Sequence, residues 1–232
     1  MKFTKPLIKG KLVKRYKRFF TDIKLNKEIV VAHCPNTGSM MGLLDEGNEV
    51  FISKNNDPKR KLKYTLEIIK VKKNLIGVNT HFANKIVHDG LSNNLINELK
   101  NNDTIKPEVF FNKETRFDFF VTKNNQKIFV EVKNVTLFRE KKIAEFPDSI
   151  TSRGSKHLKA LIDATKKGYE AYILFLIQVE GIKKFKIAKD IDKDYYNNYL
   201  LAKKAGVKFL AYSCKINSKE IIIKKKIEII NE

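Results

Sequence analysis

RFDFFVTKNNQKIFVEVKNV, residues 116–135, has the pattern of two strands joined by a tight turn at Asn124 and Asn125. Asparagine tolerates the left-handed backbone angles that two-residue hairpin turns require. A turn at this point sets a register in which Asp118 lies opposite Glu131 on one face of the hairpin. The other, buried face should carry the apolar side chains of Phe117, Phe119, Val121, Val130 and Val132.

The facing carboxylates predict a metal site. Two carboxylates directly opposite each other repel unless a divalent cation lies between them, and oxygen ligands with open water positions suit Mg²⁺ or Mn²⁺. The same register pairs Arg116 with Lys133, and Lys133 would orient or deprotonate an attacking water. We predict Asp118, Glu131 and Lys133 as catalytic residues. Asp118 and Glu131 would be the metal ligands, with Glu108, one strand earlier, as a candidate third ligand.

The spacing alone is weak evidence, because an acid followed by Glu-x-Lys also occurs by chance in a chain with 31% charged residues. A surface network of salt bridges is the alternative. The segment FPDSITSRGSKHL, residues 146–158, adds support because it leads into an amphipathic helix. Arg153, Lys156 and His157 near a helix N-terminus would bind phosphate. The alternative there is a solvated first turn with His157 half buried.

The charge of the chain predicts a polyanionic partner. Lysine and arginine total 47 against 26 acids, for a net charge of +21. Lysine-rich composition also accompanies AT-rich genomes, which accounts for part of the excess. We predict DNA, double- or single-stranded, as the partner, with RNA as an open alternative. Besides the helix residues and Arg116, the predicted contacts are basic and aromatic residues of the first half: Arg15, Tyr16, Lys17, Arg18, Lys59, Arg60 and Lys61. A solvated charged strand is the alternative for the first of these clusters.

The order of strand and helix patterns predicts an α+β or α/β protein with two domains. Residues 1–85 form five or six short strands, as in an OB-like barrel. Residues 86–104 form a helical bridge, and residues 105–232 a mixed sheet flanked by helices. The helices predicted are His81–Val87, Leu91–Leu99, Thr151–Lys167 and Asp194–Lys204. Ala171–Val179 is a strand covered on both faces, and Glu220–Ile230 an edge strand or hairpin.

Composition and sequence patterns also indicate where the protein is located in the cell and which kinds of cysteine site it lacks. No run of about 18 apolar residues exists to cross a bilayer, and the N-terminus lacks the pattern of a secretory signal. The two cysteines, Cys34 and Cys214, form no CxxC pair, so neither a disulfide framework nor a cysteine zinc site is expected. We predict a cytoplasmic protein without a membrane partner, with association with the nucleoid as an open alternative. The oligomeric state stays open.

Motifs along nearly the whole chain resemble one known family. They are RYKRF at 15–19, HCPNTG at 33–38 with Met40, KRK at 59–61 with Thr65 and Glu67, VNT at 78–80 with Ala83 and Asn84, Glu108 with Val109, RFDF at 116–119, EVK at 131–133, VTL at 135–137, FPD at 146–148, and RG with KHL at 153–158. The chain closely resembles the sugar fermentation stimulation protein A family of bacteria and archaea. Two departures are Leu66, where a tryptophan is typical, and Thr115, where a serine is usual.

The resemblance implies an N-terminal OB-like domain, a PD-(D/E)xK nuclease-like domain and non-specific DNA binding, in a family linked to regulation of sugar, especially maltose, metabolism. It places the active-site pattern on Asp118, Glu131 and Lys133. We therefore predict a DNA-binding protein that hydrolyses phosphodiester bonds with a divalent metal. The alternatives are a DNA-binding regulator that does not cut and an RNA-binding or RNA-processing protein. The intact catalytic set favours the nuclease.

Overall fold

The first half of the chain forms a closed barrel. The computed structural model describes residues 1–230. Its first strands are β1 Ile8–Tyr16, β2 Phe20–Leu25, β3 Glu28–His33, β4 Glu49–Lys54, β5 Tyr64–Val71 and β6 Asn74–Gly77. They pair in the order β3-β2-β1-β4-β5-β6, and β3 also pairs with β5 in parallel. That extra pairing closes β1 to β5 into a barrel, so the predicted OB-like domain is confirmed.

Close strand contact inside the barrel depends on Gly10 in β1. A Cβ atom at this position would lie 2.7 Å from side-chain carbons of Ile23 and Leu25, far inside van der Waals contact. A larger residue here would force the side chains of Ile23 and Leu25 to shift, so glycine suits the close approach of β1 and β2. The barrel interior is filled by buried aliphatic residues such as Leu12 and Ile52.

The connection between the two halves is only partly helical. A short 3-10 helix, Thr80–Phe82, runs into α1, Ala83–Ser92. The predicted helix Leu91–Leu99 is wrong, because only a 3-10 turn, Asn97–Leu99, follows. Asn94 has a φ of 57°, which an α-helix cannot contain and asparagine tolerates.

The second half contains two sheets and two further helices. Its elements in chain order are β7 Thr104–Phe110, β8 Arg116–Lys123, β9 Gln126–Val135, β10 Leu137–Glu140, β11 Ile143–Phe146, α2 Ser152–Lys166, β12 Glu170–Ile177, β13 Lys184–Ile187, α3 Lys193–Lys204, β14 Lys208–Ile216, β15 Ile221–Lys226 and β16 Glu228–Ile229. The main sheet has the order β15-β14-β12-β9-β8-β7, with β9, β12 and β14 parallel and the outer strands antiparallel. This confirms the predicted mixed sheet with helices.

The main sheet is covered on both faces. Along β12, Ile173 and Phe175 lie in an apolar cluster with Leu158 of α2, whereas Leu174 lies in a second cluster with Ile86 of α1. A strand buried on both faces has no polar alternation, which is why β12 was recognisable as a continuous apolar run. The strand prediction for Ala171–Val179 is confirmed.

One carboxylate joins the starts of α2 and α3. Asp192 Oδ1 accepts a hydrogen bond from the Tyr195 backbone N–H at 2.9 Å, and Oδ2 accepts one from the Thr151 N–H at 2.8 Å. Thr151 in turn caps α2 by accepting from the N–H of Gly154 at 3.1 Å. Gly168, with a φ of 83°, follows the C-terminus of α2. Both predicted helices of this half are confirmed within about two residues.

The second sheet, β10-β11-β13-β16, has no counterpart in the sequence predictions. The predicted tail strand is found, but it divides: β15 forms the edge of the main sheet, and β16 pairs with β13. No helix within residues 1–230 is long and apolar enough to span a membrane.

The barrel and the second half share one apolar cluster. Leu12 and Ile52 of the barrel belong to the same buried cluster as Phe175 and Phe185 of the two sheets. Backbone hydrogen bonds also cross the junction, including one of 2.9 Å from the Gly77 N–H to the Gln178 carbonyl. The chain therefore has a continuous interior through both halves.

Candidate active site

The β8–β9 hairpin has the predicted register at its turn. Residues pair from Phe119 with Val130 to Lys123 with Gln126, and both turn asparagines have positive φ angles, 48° and 65°. The ladder recorded in the structure begins at Phe119. Beyond it, the Asp118 Oδ2 atom accepts a hydrogen bond from the Val132 backbone N–H at 2.7 Å. At the level of the carboxylates, a hydrogen bond between a side chain and the backbone thus replaces the backbone-to-backbone hydrogen bond that would join the two strands.

The side-chain alternation of β8 also breaks at Asp118. Phe119 lies in the apolar cluster on the α1 face with Val121, Val130 and Val132, as predicted. Phe117 is buried as well, but it packs on the α2 face, with its ring centroid 5.1 Å from that of Phe129. The prediction that Phe117 shares a face with Phe119 is wrong. The neighbouring β7 is irregular at the same level, because Glu108 has a φ of 56°.

Glu131 is the most enclosed group of the cluster, with 3% of its surface exposed. Its Oε1 accepts a hydrogen bond from Lys133 Nζ at 2.8 Å and contacts His157 Nδ1. Burial by itself would raise the pKa of Glu131, but Lys133 and His157 outweigh it and lower the pKa. The carboxylate is therefore ionised. Its second oxygen, Oε2, is buried with no hydrogen-bond partner among the described residues.

Asp118 is held by two donors. Besides the Val132 N–H, its Oδ1 accepts a hydrogen bond from Asn84 Nδ2 at 2.7 Å. Burial, followed by the nearby charge of Glu131, raises the pKa of Asp118 from 3.8 to about 6. Asn84 comes from α1 and was not predicted as a site residue, since a single amide on a helix carries no spacing signal. Asn84 Nδ2 also lies 3.4 Å from Oε1 of Glu108.

A cleft of about 950 Å³ opens onto this cluster. Six of the residues predicted from sequence line it: Glu108, Arg116, Asp118, Arg153, Lys156 and His157. The structure thus brings together side chains from β7, β8 and α2. His157 lies in the cleft wall and contacts Glu131, and Glu131 in turn contacts Lys133. These two residues therefore lie next to the cleft.

The basic side chains that line the cleft differ in how far other protein groups already bind them. Arg116 pairs with Glu108 at 2.8 Å and lies over the Phe110 ring. His157 is buried and faces Glu131, so its placement differs from both the open phosphate-binding corner and the half-buried alternative. Arg153 and Lys156 are exposed on the first turns of α2, and Arg153 Nε donates a hydrogen bond to His157 Nε2 at 3.5 Å.

The predicted nucleic-acid contacts of the barrel lie elsewhere: none of the seven, within the part of the chain described, lines the Asp118 cleft. The Arg15 guanidinium donates to the backbone carbonyls of Arg18, Asn36 and Gly38 at 2.7–3.1 Å, so it holds a loop in place. Tyr16 stacks on Phe20 with ring centroids 5.6 Å apart.

The remaining barrel residues lie on two loops. Lys17 and Arg18 form the β1–β2 turn, both with positive φ. Lys59, Arg60 and Lys61 lie on the loop between β4 and β5.

The residues of the cluster fit a hard divalent cation. The buried, unpartnered Oε2 of Glu131 and the nearby Asp118 supply carboxylate oxygens, the ligands that Mg²⁺ and Mn²⁺ take. Within residues 1–230 no group of three or more His, Cys, Asp or Glu side chains is arranged to hold a metal. A cation here would therefore keep several water ligands, as Mg²⁺ characteristically does.

The raised pKa of Asp118 predicts a pH-dependent stability in metal-free protein. A carboxyl whose folded-state pKa is about 6 rather than 3.8 holds its proton more tightly when folded, so its contribution to stability falls as pH rises through this interval. Asp118→Asn removes this titration. As the pH rises from about 4.5 to about 8, the unfolding free energy of the variant should increase by about 1–2 kcal/mol relative to that of wild type. Urea unfolding in the presence of a chelator measures the difference, and a pH-independent difference would contradict the prediction.

Barrel and mixed sheet together define a class of protein: an OB domain followed by a mixed-sheet domain flanked by helices, which carries a carboxylate–lysine cluster. Two sequence models match the chain, the SfsA N-terminal OB domain over residues 13–78 and the sugar fermentation stimulation protein RE domain over residues 81–220. The chain belongs to the sugar fermentation stimulation protein family, and the resemblance seen in its motifs is confirmed.

Relatives match over the full length. A sugar fermentation stimulation protein homolog of Pelagibacter ubique is 78% identical, with 100% of both chains covered. One from Pseudoalteromonas atlantica is 46% identical over 99% of this chain and 100% of the relative. Pyrococcus furiosus SfsA, solved in complex with Ca²⁺, is similar with a TM-score of 0.90 and 26% identity, covering 100% of this chain and 98% of its own.

Proposed function

We propose that this protein is a non-specific DNA-binding protein that hydrolyses phosphodiester bonds with a divalent cation held by Asp118 and Glu131. The observation that carries the proposal is the buried, unpartnered Oε2 of Glu131 beside Asp118, next to a cleft that Arg116, Arg153 and Lys156 help to line. An ionised oxygen without a donor is costly in a folded protein, and a metal ion offsets that cost. The Ca²⁺ complex of the Pyrococcus furiosus relative supports a divalent cation, for which we propose Mg²⁺ or Mn²⁺.

A bound cation would activate water and neutralise charge on the scissile phosphate. The chain's own residues prepare the site for this chemistry. Asn84 and the Val132 N–H hold the Asp118 carboxylate, and His157 holds Glu131. The Lys133 ammonium, 2.8 Å from Glu131, would orient the attacking water or stabilise developing phosphate charge.

Substrate binding is assigned to the cleft cations. Arg116, Arg153 and Lys156 line the same cleft as Asp118 and come from two different elements, so they can contact phosphates along a strand. Such contacts carry no base information, which accords with non-specific binding. The net charge of +21 supports attraction of nucleic acid from a distance.

The deciding experiment compares wild type with Asp118→Ala on plasmid, single-stranded DNA and RNA, each with Mg²⁺, Mn²⁺ or chelator. We expect wild type to cleave DNA only with the metal and Asp118→Ala to be inactive. Asp194→Ala, an exposed aspartate on α3, is the matched control and should cleave like wild type. Equal cleavage by Asp118→Ala, or none by wild type, would contradict the nuclease assignment.

Binding and cleavage assays on the same proteins and nucleic acids distinguish the alternative functions. DNA binding that weakens steeply with salt but without cleavage would identify a non-cutting DNA-binding protein. Cleavage or binding confined to RNA would identify the RNA-processing alternative. Binding to DNA that does not change with salt would contradict the role given to Arg116, Arg153 and Lys156.

A further inference from the structure

A second cavity, distinct from the Asp118 cleft, lies between the barrel and the start of α1. Its volume is about 530 Å³, within the range of small-molecule sites. The N-terminal segment, the ends of β3, β4 and β5, and the 3-10 helix before α1 form its wall. Nothing in the nuclease proposal uses this cavity.

Basic side chains form much of the lining of the second cavity. They are Lys2, Lys5, His33, Lys54, Arg60, His81 and Lys85. Among residues 1–230, none of them forms an ion pair with a carboxylate within 4.0 Å. The only acidic side chain in the described lining is Glu67. The wall, as far as the structure describes it, therefore carries more basic than acidic side chains.

Both carboxylate oxygens of Glu67 accept hydrogen bonds from other residues of the cavity wall. One carboxylate oxygen accepts from Ser53 Oγ at 2.6 Å and the other from Asn79 Nδ2 at 2.7 Å. Asn79 also accepts a hydrogen bond from the backbone N–H of His81 at 3.1 Å, so this network fixes the turn that carries His81. Burial raises the pKa of Glu67, which weakens it further as a counter-ion for the cavity.

The cations converge at one end of the cavity. The His33 and His81 rings lie 6.5 Å apart between centroids, and Arg60, held by a 3.3 Å hydrogen bond to Thr65, lines the same space. Burial lowers the pKa of His33, and the charges of His81 and Arg60 lower it further. An anion placed among these side chains would relieve their mutual repulsion.

The cavity also has an apolar wall. Phe3 and Phe82 pack edge to face with ring centroids 6.0 Å apart, and Leu7 and Pro35 lie beside them in the lining. A purely inorganic anion would leave this wall without a contact. A ligand with a phosphate and a ring would contact both parts.

We propose that the second cavity binds a phosphomonoester of about nucleotide size, with its phosphate at His33, His81 and Arg60 and its ring against Phe3 and Phe82. Arginine binds phosphate through two parallel hydrogen bonds, and the two imidazoles add donors on either side. The phosphomonoester is either a free nucleotide or the phosphorylated 5′ end of a nucleic-acid strand. The site is independent of the Asp118 cluster.

The test is calorimetric titration of the full chain with adenosine 5′-monophosphate, ribose 5-phosphate and adenosine. We expect the nucleotide to bind at least about tenfold more tightly than either fragment, because each fragment contacts only one part of the cavity. Arg60→Ala should weaken nucleotide binding at least about tenfold. Lys63→Ala is the matched control, since it removes one charge from the same loop without lining the cavity. It should bind within about twofold of wild type.

His33→Ala serves as a second variant, with thermal unfolding confirming that each protein is folded. No nucleotide binding by wild type, or equal weakening in Arg60→Ala and Lys63→Ala, would overturn the proposal. Oligonucleotides with a 5′ phosphate or a 5′ hydroxyl distinguish the two sources of ligand. A preference for the phosphorylated strand that Arg60→Ala abolishes assigns the site to strand ends, and nucleotide binding without that preference assigns it to free nucleotides.

Discussion

Replacing Glu131 with glutamine should reduce metal-dependent DNA cleavage at least about 1,000-fold, since a metal ion supplies several kcal/mol of transition-state stabilisation. The glutamine keeps the size of the side chain but removes the charge that would hold the cation. It also removes the charged acceptor that Lys133 and His157 share. We expect this loss because Oε2 of Glu131, which is buried without a hydrogen-bond partner among the described residues, is the oxygen that would bind the cation.

Single-turnover cleavage with Mn²⁺ measures this loss, and titration with Mn²⁺ should show weaker binding in the variant. Glu145→Gln is the matched control, because Glu145 is another buried carboxylate, paired with Arg139 in the second sheet. Glu145→Gln should retain cleavage within about threefold of wild type when both proteins are folded. A folded Glu131→Gln protein with wild-type activity would exclude Glu131 as a metal ligand.

Phe175→Ala should lower the free energy of unfolding by about 3–5 kcal/mol, the usual cost of deleting a buried phenyl ring. Phe175 has no exposed surface and packs between the two sheets of the second half. Its ring centroid lies 4.3 Å from that of Phe185 and 5.6 Å from that of Phe146. Because three elements converge on this ring, the cavity cannot collapse by moving one side chain.

Thermal unfolding should show the Phe175→Ala effect as a decrease in Tm of roughly 6–20 °C for a chain of this size. Phe19→Ala deletes the same ring at a position that is 44% exposed, and should change stability by less than about 1 kcal/mol. Similar losses in the two variants would show that the interior around Phe175 is not tightly packed.

Local patterns predicted much of the fold. The hairpin register followed from Asn124 and Asn125, since asparagine adopts the positive φ angles found there. The continuous apolar run of β12 and the glycine after α2 were equally direct signals. Within the site, the proximity of Asp118 and Glu131 followed from that register, and the structure places the predicted helix residues at the same cleft.

Other features depend on tertiary contacts that no local pattern records. The face occupied by Phe117 could not be predicted, because the break at Asp118 occurs together with an irregular residue in a different strand, Glu108. β13 and β16 have only four and two residues, too few for a periodicity. Asn84 reaches Asp118 because α1 packs against the sheet, a contact between residues 34 positions apart.

The apolar cluster shared by the barrel and the second half constrains how such a gene can change. A recombination event that separated the two halves would divide this cluster and break the backbone hydrogen bonds at the junction, such as the one from Gly77 to Gln178. Each half should therefore be less stable alone than in the full chain. The full-length coverage of the bacterial relatives agrees with the two halves being kept together.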